Sequence, residues 1–190
     1  VTNTAWTDVA FDNSQMQKHN VSFTNGSENG NYYLSLTYLD NNGIVKGDVD
    51  VYKRLTATIN SEYAIKPWLK VGTTNQIEKF NIRSVSMNNE YGSLLTSILQ
   101  LDPLTPDTYA ADKLPAHMQT ALNNGKHLLK NENGDYYAVS KYYAGEQFHP
   151  MIMRDNNIGK NSGFNVNGSI YSDFKPIKDF TFTSRFGYRL

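Results

Sequence analysis

The chain has 190 residues and a balanced charge, with 18 Lys and Arg against 18 Asp and Glu. This balance gives no support to nucleic-acid binding or to a polybasic membrane anchor, because both depend on an excess of positive charge. The chain contains no cysteine, which excludes a disulfide framework, a thiol nucleophile and a thiolate zinc site. Hydrophobic residues make up 39% and aromatic residues 13%, so the apolar content is weighted toward Tyr and Phe.

The first four predicted strands alternate apolar and polar side chains with the two-residue period of a β-strand. They cover about residues 19–25, 31–39, 53–63 and 68–78. In the third strand, Leu55, Ala57 and Ile59 share one face, and Thr56 and Thr58 lie on the other. Each strand therefore has one face suited to an apolar environment and one suited to water.

Residues 79–160 lose this alternation and form the longest predicted connection. Within it, apolar residues of YGSLLTSILQ recur at helical spacing, which predicts a helix over 91–100 that ends before Asp102-Pro103. A second helix is predicted over 114–124, ending at Gly125, and NENGDYY at 131–137 predicts the turn of a small hairpin.

The last two predicted strands, at about 164–174 and 179–190, show the clearest alternation. In the final strand, Phe182 and Phe186 share one face, whereas Arg185 and Arg189 lie on the other. Because an unpaired charge is very costly to bury, the arginine face must meet water or a partner.

Short and long connections alternate along the chain. NGSENG (25–30), IKPW (65–68) and KPIKD (175–179) are short, whereas 40–52 and 79–160 are long. Short turns on one side, long loops on the other and two-faced strands are typical of a transmembrane β-barrel. The sequence therefore predicts an all-β fold. It is an antiparallel up-and-down meander, part of a large transmembrane β-barrel, with one long external loop (79–160) that carries short helices.

The alternative is a soluble or surface β-sandwich that binds carbohydrate through its aromatic residues. The final strand separates the two hypotheses through Phe180, Phe182, Phe186 and Tyr188. In a sandwich these side chains must be covered by a second sheet from the same chain, whereas in a barrel they face lipid.

Five stretches, in order, resemble the SusC/RagA family, the TonB-dependent outer-membrane transporters of Bacteroidetes. They are TAWTDVAF (4–11), QKHNVSFTNGSENGNYYLSLTYLDNNGIVKG (17–47), YKRLTATINSEYAIKPWLKVGTT (52–74), LDPLTPDTY (101–109) and GSIYSDFKPIKDFTFTSRFGY (168–188). The resemblance covers most of the chain and is weakest over about 110–150, where external loops vary.

The resemblance implies a 22-stranded barrel with an N-terminal plug, which imports oligosaccharides or peptides with energy from the TonB complex. It implies a SusD-like lipoprotein as a lid on the external face and, as location, the outer membrane of a Gram-negative bacterium of Bacteroidetes type. On this resemblance, residues 1–190 are one early segment of the barrel, in contact with outer-membrane lipid. The plug domain and the N-terminal part that contacts the TonB complex are then absent from the chain.

No catalytic, cofactor-binding or metal-binding residue is predicted. The histidines His19, His117, His127 and His149 share no metal-ligand or catalytic spacing. The sequence shows no nucleophile–base pair and no phosphate-binding loop, so an enzyme is not expected.

Aromatic residues are the weak candidates for ligand contact. Near strand ends, where barrels carry aromatic girdles, stand Tyr32, Tyr38, Tyr63 and Trp68. In the long loop, the aromatic residues freer to touch a glycan or peptide substrate or the lid are Tyr109, Tyr136, Tyr137, Tyr142, Tyr143 and Phe148. Local packing is the favoured alternative, because exposed loops fold back on their own aromatic residues.

Overall fold

The computed structural model describes residues 2–90, 92–143 and 148–190. The chain forms two compact units. The sheet unit consists of Gln15–Asn42, Val51–Ile82 and Lys160–Leu190. The loop unit consists of Val1–Ser14, Gly43–Asp50 and Arg83–Gly159. Each unit is therefore assembled from three separate pieces of sequence.

A six-stranded sheet forms most of the sheet unit. Its strands are β1 (Gln15–Ser27), β2 (Gly30–Asn42), β3 (Val51–Lys66), β4 (Leu69–Val85), β7 (Ile158–Phe174) and β8 (Phe182–Arg189). They lie in the order β1-β2-β3-β4-β7-β8, so each pairs with the next long strand along the chain. This confirms the predicted antiparallel meander, of which β1 and β8 are the open edges.

Most strands extend beyond the alternating segments that predicted them. β3 and β4 have 16 and 17 residues, and they pair from Tyr52 opposite Ile82 to Lys66 opposite Leu69. Backbone hydrogen bonding thus continues past the residues that carry the apolar–polar pattern. β8 is shorter than predicted, because the preceding turn, in which Asp179 has a φ of 64°, leaves Phe180 before the strand.

The connections alternate in length, as the sequence predicts. Two residues, Glu28 and Asn29, join β1 to β2, and Pro67 and Trp68 join β3 to β4. A short turn joins β7 to β8. The connections from β2 to β3 and from β4 to β7 are longer and belong to the loop unit.

Short helices and a two-stranded sheet make up the described part of the loop unit. The helices are α1 (Trp6–Ala10), α2 (Leu94–Gln100), α3 (Ala116–Asn123) and α4 (Pro150–Asn156), and the strands are β5 (Thr108–Tyr109) and β6 (Tyr136–Tyr137). Within residues 2–90, 92–143 and 148–190, no helix has the length and apolar character needed to cross a membrane.

The sequence predicts α2 and α3 but not α1 or α4. At five residues α1 is too short to show a helical period, and the apolar residues of α4, Met151, Ile152 and Met153, are consecutive instead of three or four positions apart. The predicted start of α2, Tyr91, lies outside the described residues. The observed helix follows Ser93, whose hydroxyl accepts a hydrogen bond from the Thr96 N–H at 3.3 Å and so caps the first turn.

Trp6 anchors the core of the loop unit. It is 5% exposed, and it belongs to a buried cluster with Val45, Leu94 and Met151. Its indole Nε1 donates a hydrogen bond to the main-chain oxygen of Asp102 at 2.9 Å. The N-terminal helix, the 43–50 connection and the long 86–157 connection therefore form one packed structure.

Candidate functional site

One face of the six-stranded sheet, here called the apolar face, carries the hydrophobic side chains of every strand. Directly paired residues on antiparallel strands lie on the same face. One such row across β1 to β4 is Val21, Leu36, Ala57 and Ile77. In the hairpin of β7 and β8, Ile170 lies opposite Phe186. The apolar sets predicted from each strand separately thus fall on a single surface.

The side chains of the apolar face are exposed. Val21 is 55% exposed and Phe186 69% exposed. The buried hydrophobic residues of the described chain, by contrast, all belong to the loop unit. The sheet therefore has no hydrophobic core of its own, which explains the low aliphatic content of the chain.

The opposite side of the sheet, here called the polar face, carries amide and hydroxyl groups. Asn20 donates to the hydroxyl oxygens of Ser35 and Thr37 at 2.8 and 2.7 Å. The hydroxyls of Thr74 and Ser169 lie 2.9 Å apart. This contact joins β4 to β7. It shows that the β3–β4 hairpin and the β7–β8 hairpin have their polar side chains on the same face of the sheet. A shallow depression of about 450 Å³ over this face is lined by uncharged residues alone.

The charged groups of the polar face are largely paired. Glu62 accepts from Lys70 at 3.0 Å and from the Tyr171 hydroxyl at 2.8 Å, and the Arg185 guanidinium lies 4.9 Å from the centre of the Tyr171 ring. Arg185 thus has an aromatic partner in addition to solvent.

Aromatic side chains stand at both ends of the apolar face. At the short-turn end, Tyr32, Tyr63 and Trp68 are about half exposed, and Trp68 packs edge-on against Phe174 at 5.6 Å between ring centres. At the other end, the Tyr38 hydroxyl donates to Asp40 at 3.1 Å. These positions match the two aromatic bands of a membrane barrel.

A cleft in the loop unit, here called the loop cleft, gathers polar and aromatic groups. It has a volume of about 220 Å³ and is lined by Leu104, Thr105, Tyr109, Pro115, His117, Val139, Lys141 and Tyr142. The Lys141 ammonium lies 4.9 Å from the centre of the Tyr142 ring, and Tyr142 is 57% exposed. Exposed aromatic faces beside hydrogen-bonding groups can stack on a sugar ring or hold a peptide side chain.

The structure brings only two of the candidate loop aromatics, Tyr109 and Tyr142, into this cleft. Tyr137 packs instead against the buried His149, with 4.7 Å between ring centres, and burial raises the pKa of its hydroxyl. Tyr136 lies under the Lys130 ammonium at 4.4 Å. Tyr143 is 40% exposed, and Phe148 is partly buried outside the cleft.

Asp102 holds two lining residues of the loop cleft, Leu104 and Thr105, in place, a role that the sequence did not indicate. Its carboxylate accepts hydrogen bonds from the hydroxyls of Ser140 and Thr105 and from the Leu104 N–H, the last two at 2.9 Å. Burial raises the pKa of this carboxyl, but the hydrogen bonds outweigh burial and leave the pKa below its ordinary value. The available signal was the Asp-x-x-Thr spacing in LDPLTPDTY, which favours such a local bond.

No group of three or more His, Asp or Glu side chains placed to hold a metal ion occurs in the part of the chain that the structure describes.

Comparison with known proteins gives a sequence relative. No protein-family model matches the chain. The TonB-dependent receptor SusC of Bacteroides thetaiotaomicron is 35% identical over 109 residues, which cover 55% of this chain and 10% of SusC. The chain therefore spans only a tenth of the length of this curated relative.

Solved structures share the fold. The RagAB peptide transporter matches with a TM-score of 0.67, and the RagAB peptide importer in the closed-closed state matches with a TM-score of 0.64. Each is 21% identical, and each match covers 97% of this chain and 18% of the other. The expected resemblance is confirmed: the chain is SusC/RagA-like, similar in sequence to part of the TonB-dependent receptor SusC and in fold to part of the RagAB peptide transporter.

Proposed function

We propose that the chain forms part of the barrel wall of a TonB-dependent outer-membrane importer of oligosaccharides or peptides. The observation that carries this proposal is the sheet with one exposed apolar face and one polar face. The apolar face meets lipid and the polar face meets the barrel interior, as a membrane-spanning barrel requires. SusC is a TonB-dependent receptor and RagAB a peptide transporter, which supports nutrient import as the activity.

The proposed location is the outer membrane of a Gram-negative bacterium of Bacteroidetes type. The short turns lie on the periplasmic side, and residues 86–157 form an external loop, since bacterial barrels place their long loops outside. The exposure of Phe182 and Phe186, 57% and 69%, supports lipid contact over the alternative of a sandwich module with these rings in its core.

The proposed partners are a SusD-like surface lipoprotein and the TonB complex. The similarity in fold to the RagAB peptide transporter supports the lipoprotein partner. Within the chain, the loop cleft is proposed to contact the substrate or the lid through Tyr109 and Tyr142, because these are the candidate aromatics that line it.

Fractionation of native cells tests the location, with an antibody raised against residues 86–157. The expected band lies in the outer membrane, is far heavier than the 21.5 kDa of this chain, and shifts in mobility on heating. A soluble or secreted band near 21.5 kDa contradicts the proposal and favours a binding module.

Uptake tests the activity and the cleft together. Cells that lack the intact protein are expected to lose uptake of either a fluorescent oligosaccharide mixture or a fluorescent peptide mixture, and a protonophore is expected to have the same effect on wild-type cells. Restoration with Tyr142→Ala is expected to leave uptake several-fold low, because the exposed ring of the cleft is missing. Tyr136→Ala is the matched control, since Tyr136 does not line the cleft. Equal uptake by the two variants contradicts the role of Tyr142.

A further inference from the structure

Lysines mark one boundary of the apolar face. Lys53 in β3, Lys79 in β4 and Lys160 in β7 lie on three neighbouring strands and are all exposed. Lys79 lies directly opposite Leu55, which places it on the apolar face. Lys53 lies on the same face, two positions from Leu55, and Lys160 shares that face with Ile170 because an even number of residues separates them on β7.

The separation between the lysines and the tyrosines of the short-turn end matches the thickness of the apolar layer of a membrane. On β3, Lys53 and Tyr63 are roughly ten residues apart. With a rise of about 3.3 Å per residue and a strand tilt of about 40°, this separation corresponds to a height of about 25 Å, the apolar band of a barrel. On the proposed function, the short-turn end with Tyr63 therefore lies at one edge of the hydrocarbon layer, and the end with the lysines lies at the other.

The charge at the lysine end is not balanced. Lys53 pairs with Asp40 at 3.1 Å, which leaves three lysines against one aspartate. Lys79 and Lys160 form no ion pair among the described residues. The nearby Glu78 lies on the polar face, where Arg54 and Asn165 contact it at 3.6 and 3.2 Å. The boundary thus presents a net positive charge toward the membrane.

We propose that Lys53, Lys79 and Lys160 bind the phosphate groups of an anionic lipid in the leaflet nearest the long connections. The inference rests on the proposed function, because lipid reaches this face only if the sheet is a barrel wall. The lysine stems lie along apolar neighbours such as Leu55, and the ammonium groups extend to the headgroup level. There, anionic lipid surfaces attract each lysine.

The test uses the intact outer-membrane protein, purified in a non-ionic detergent. Its affinity is measured by native mass spectrometry for diphosphorylated lipid A and for the same lipid without phosphates. The wild type is expected to prefer the phosphorylated form. The triple variant Lys53→Gln, Lys79→Gln and Lys160→Gln is expected to bind it at least about tenfold more weakly.

Two further variants control for charge and folding. Lys66→Gln, Lys175→Gln and Lys178→Gln together remove the same charge at the short-turn end, where all three lysines are also exposed, and they are expected to change the affinity less than about twofold. The triple replacement by arginine is expected to keep the preference. A heat-dependent mobility shift checks that each variant is folded.

Several results overturn the inference: no preference for phosphorylated lipid in the wild type, equal losses in the two glutamine variants, or loss of lipid binding on addition of millimolar inorganic phosphate. The last result indicates a site for a soluble anion. If the protein is folded and in the outer membrane but shows no lipid preference, only this inference fails. If it is not an outer-membrane protein, the proposed function fails as well.

Discussion

Asp102 links stretches of the loop unit that lie far apart in sequence. Trp6 and Ser140, which donate to its main-chain and carboxylate oxygens, are 96 and 38 positions away. The sequence marked Asp102 only as part of a helix stop and of a family resemblance, because no local pattern pairs an aspartate with such distant donors. Tyr142 illustrates the same limit: its residue type suggested ligand contact, but only the packing shows that it shares a cleft with Tyr109.

The depressed pKa of Asp102 predicts an acid-sensitive loop unit. A carboxyl whose pKa is lower in the folded than in the unfolded state stabilises the fold fully above its ordinary pKa, which is 3.8 for this group. This stabilisation is lost as the pH falls below 3.8 and through the lower folded pKa. Limited proteolysis of the intact protein within residues 86–157 is therefore expected to accelerate as the pH is lowered from 7 to about 3.

The variant Asp102→Asn distinguishes the effect of protonating Asp102 from the effect of protonating other carboxyl groups. The amide cannot accept as strongly from Ser140 and Thr105, so the loop unit is expected to open more readily at pH 7, by about 1–3 kcal/mol. Its proteolysis is also expected to depend less on pH than that of the wild type. Asp112→Asn is the control, because Asp112 is exposed. If Asp102→Asn and Asp112→Asn behave alike at both pH values, Asp102 does not hold the loop unit together.

Pairs of strands in the sheet approach closely where a glycine lies under an aromatic ring. A Cβ atom on Gly72 of β4 would lie 2.2 Å from the ring of Tyr171 on β7. A Cβ on Gly163 of β7 would lie 2.5 Å from the ring of Phe80 on β4. The two pairs are reciprocal across one strand interface, so each strand supplies one glycine and one ring to fix the register.

Gly72→Ala is expected to destabilise the sheet by about 1–3 kcal/mol. The added methyl group must displace the Tyr171 ring, whose hydroxyl donates to Glu62 at 2.8 Å. Gly26→Ala, on the polar face of β1, is the control, since its nearest neighbour would be at an ordinary 3.6 Å. Chemical unfolding of the intact protein in detergent measures the difference. Similar unfolding midpoints for the two variants would show that the ring moves without cost.

On the proposed function, positions along the apolar face of β8 differ in their depth in the membrane. Phe182 pairs with Phe174 next to the short turn, whereas Phe186 pairs with Ile170, four positions farther from that turn. Phe186→Arg is expected to destabilise the inserted barrel by roughly 2–4 kcal/mol, and Phe182→Arg by about 1 kcal/mol or less. Thr183→Arg, on the polar face near Asp173, is expected to have little effect. Refolding titrations into lipid vesicles measure all three, and equal effects of Phe186→Arg and Thr183→Arg would contradict the assignment of the faces.

At the scale of elements, alternation predicted which side chains share a face because the two-residue period is a local property of a strand. It did not predict where strands end: β3 and β4 continue to Lys66 and Val85 because their partners continue. The search for a helical period missed α1 and α4, which tertiary packing of Trp6 and Met151 holds in the same core. The helices that the helical period did predict, α2 and α3, have local end signals: Ser93 caps the start of α2, and Gly125 follows the end of α3.

At the scale of the whole molecule, the two units are stabilised in different ways. The loop unit buries Trp6, Leu94 and other apolar residues in a core, as a soluble domain does. The sheet unit instead leaves its apolar side chains exposed and two strand edges open. On the proposed function, lipid covers these side chains and further strands pair with the open edges. The chain has a low content of aliphatic residues, and this division explains it, because only the loop unit builds a hydrophobic core.

The orientation proposed for the sheet leads to a labelling prediction for intact cells. The chain has no cysteine, and once any cysteine elsewhere in the intact protein is replaced, single cysteines can report on each side of the membrane. Asn133→Cys lies at the exposed hairpin turn of the loop unit, and Asn29→Cys in the two-residue turn between β1 and β2. A membrane-impermeant maleimide is expected to label Asn133→Cys in intact cells and Asn29→Cys only after the outer membrane is permeabilised, because long loops of bacterial barrels are external and short turns periplasmic. The reverse pattern would invert the orientation and move the lysine boundary of the apolar face to the inner leaflet. Labelling of both cysteines in intact cells, with a periplasmic marker still protected, would contradict a membrane-spanning sheet.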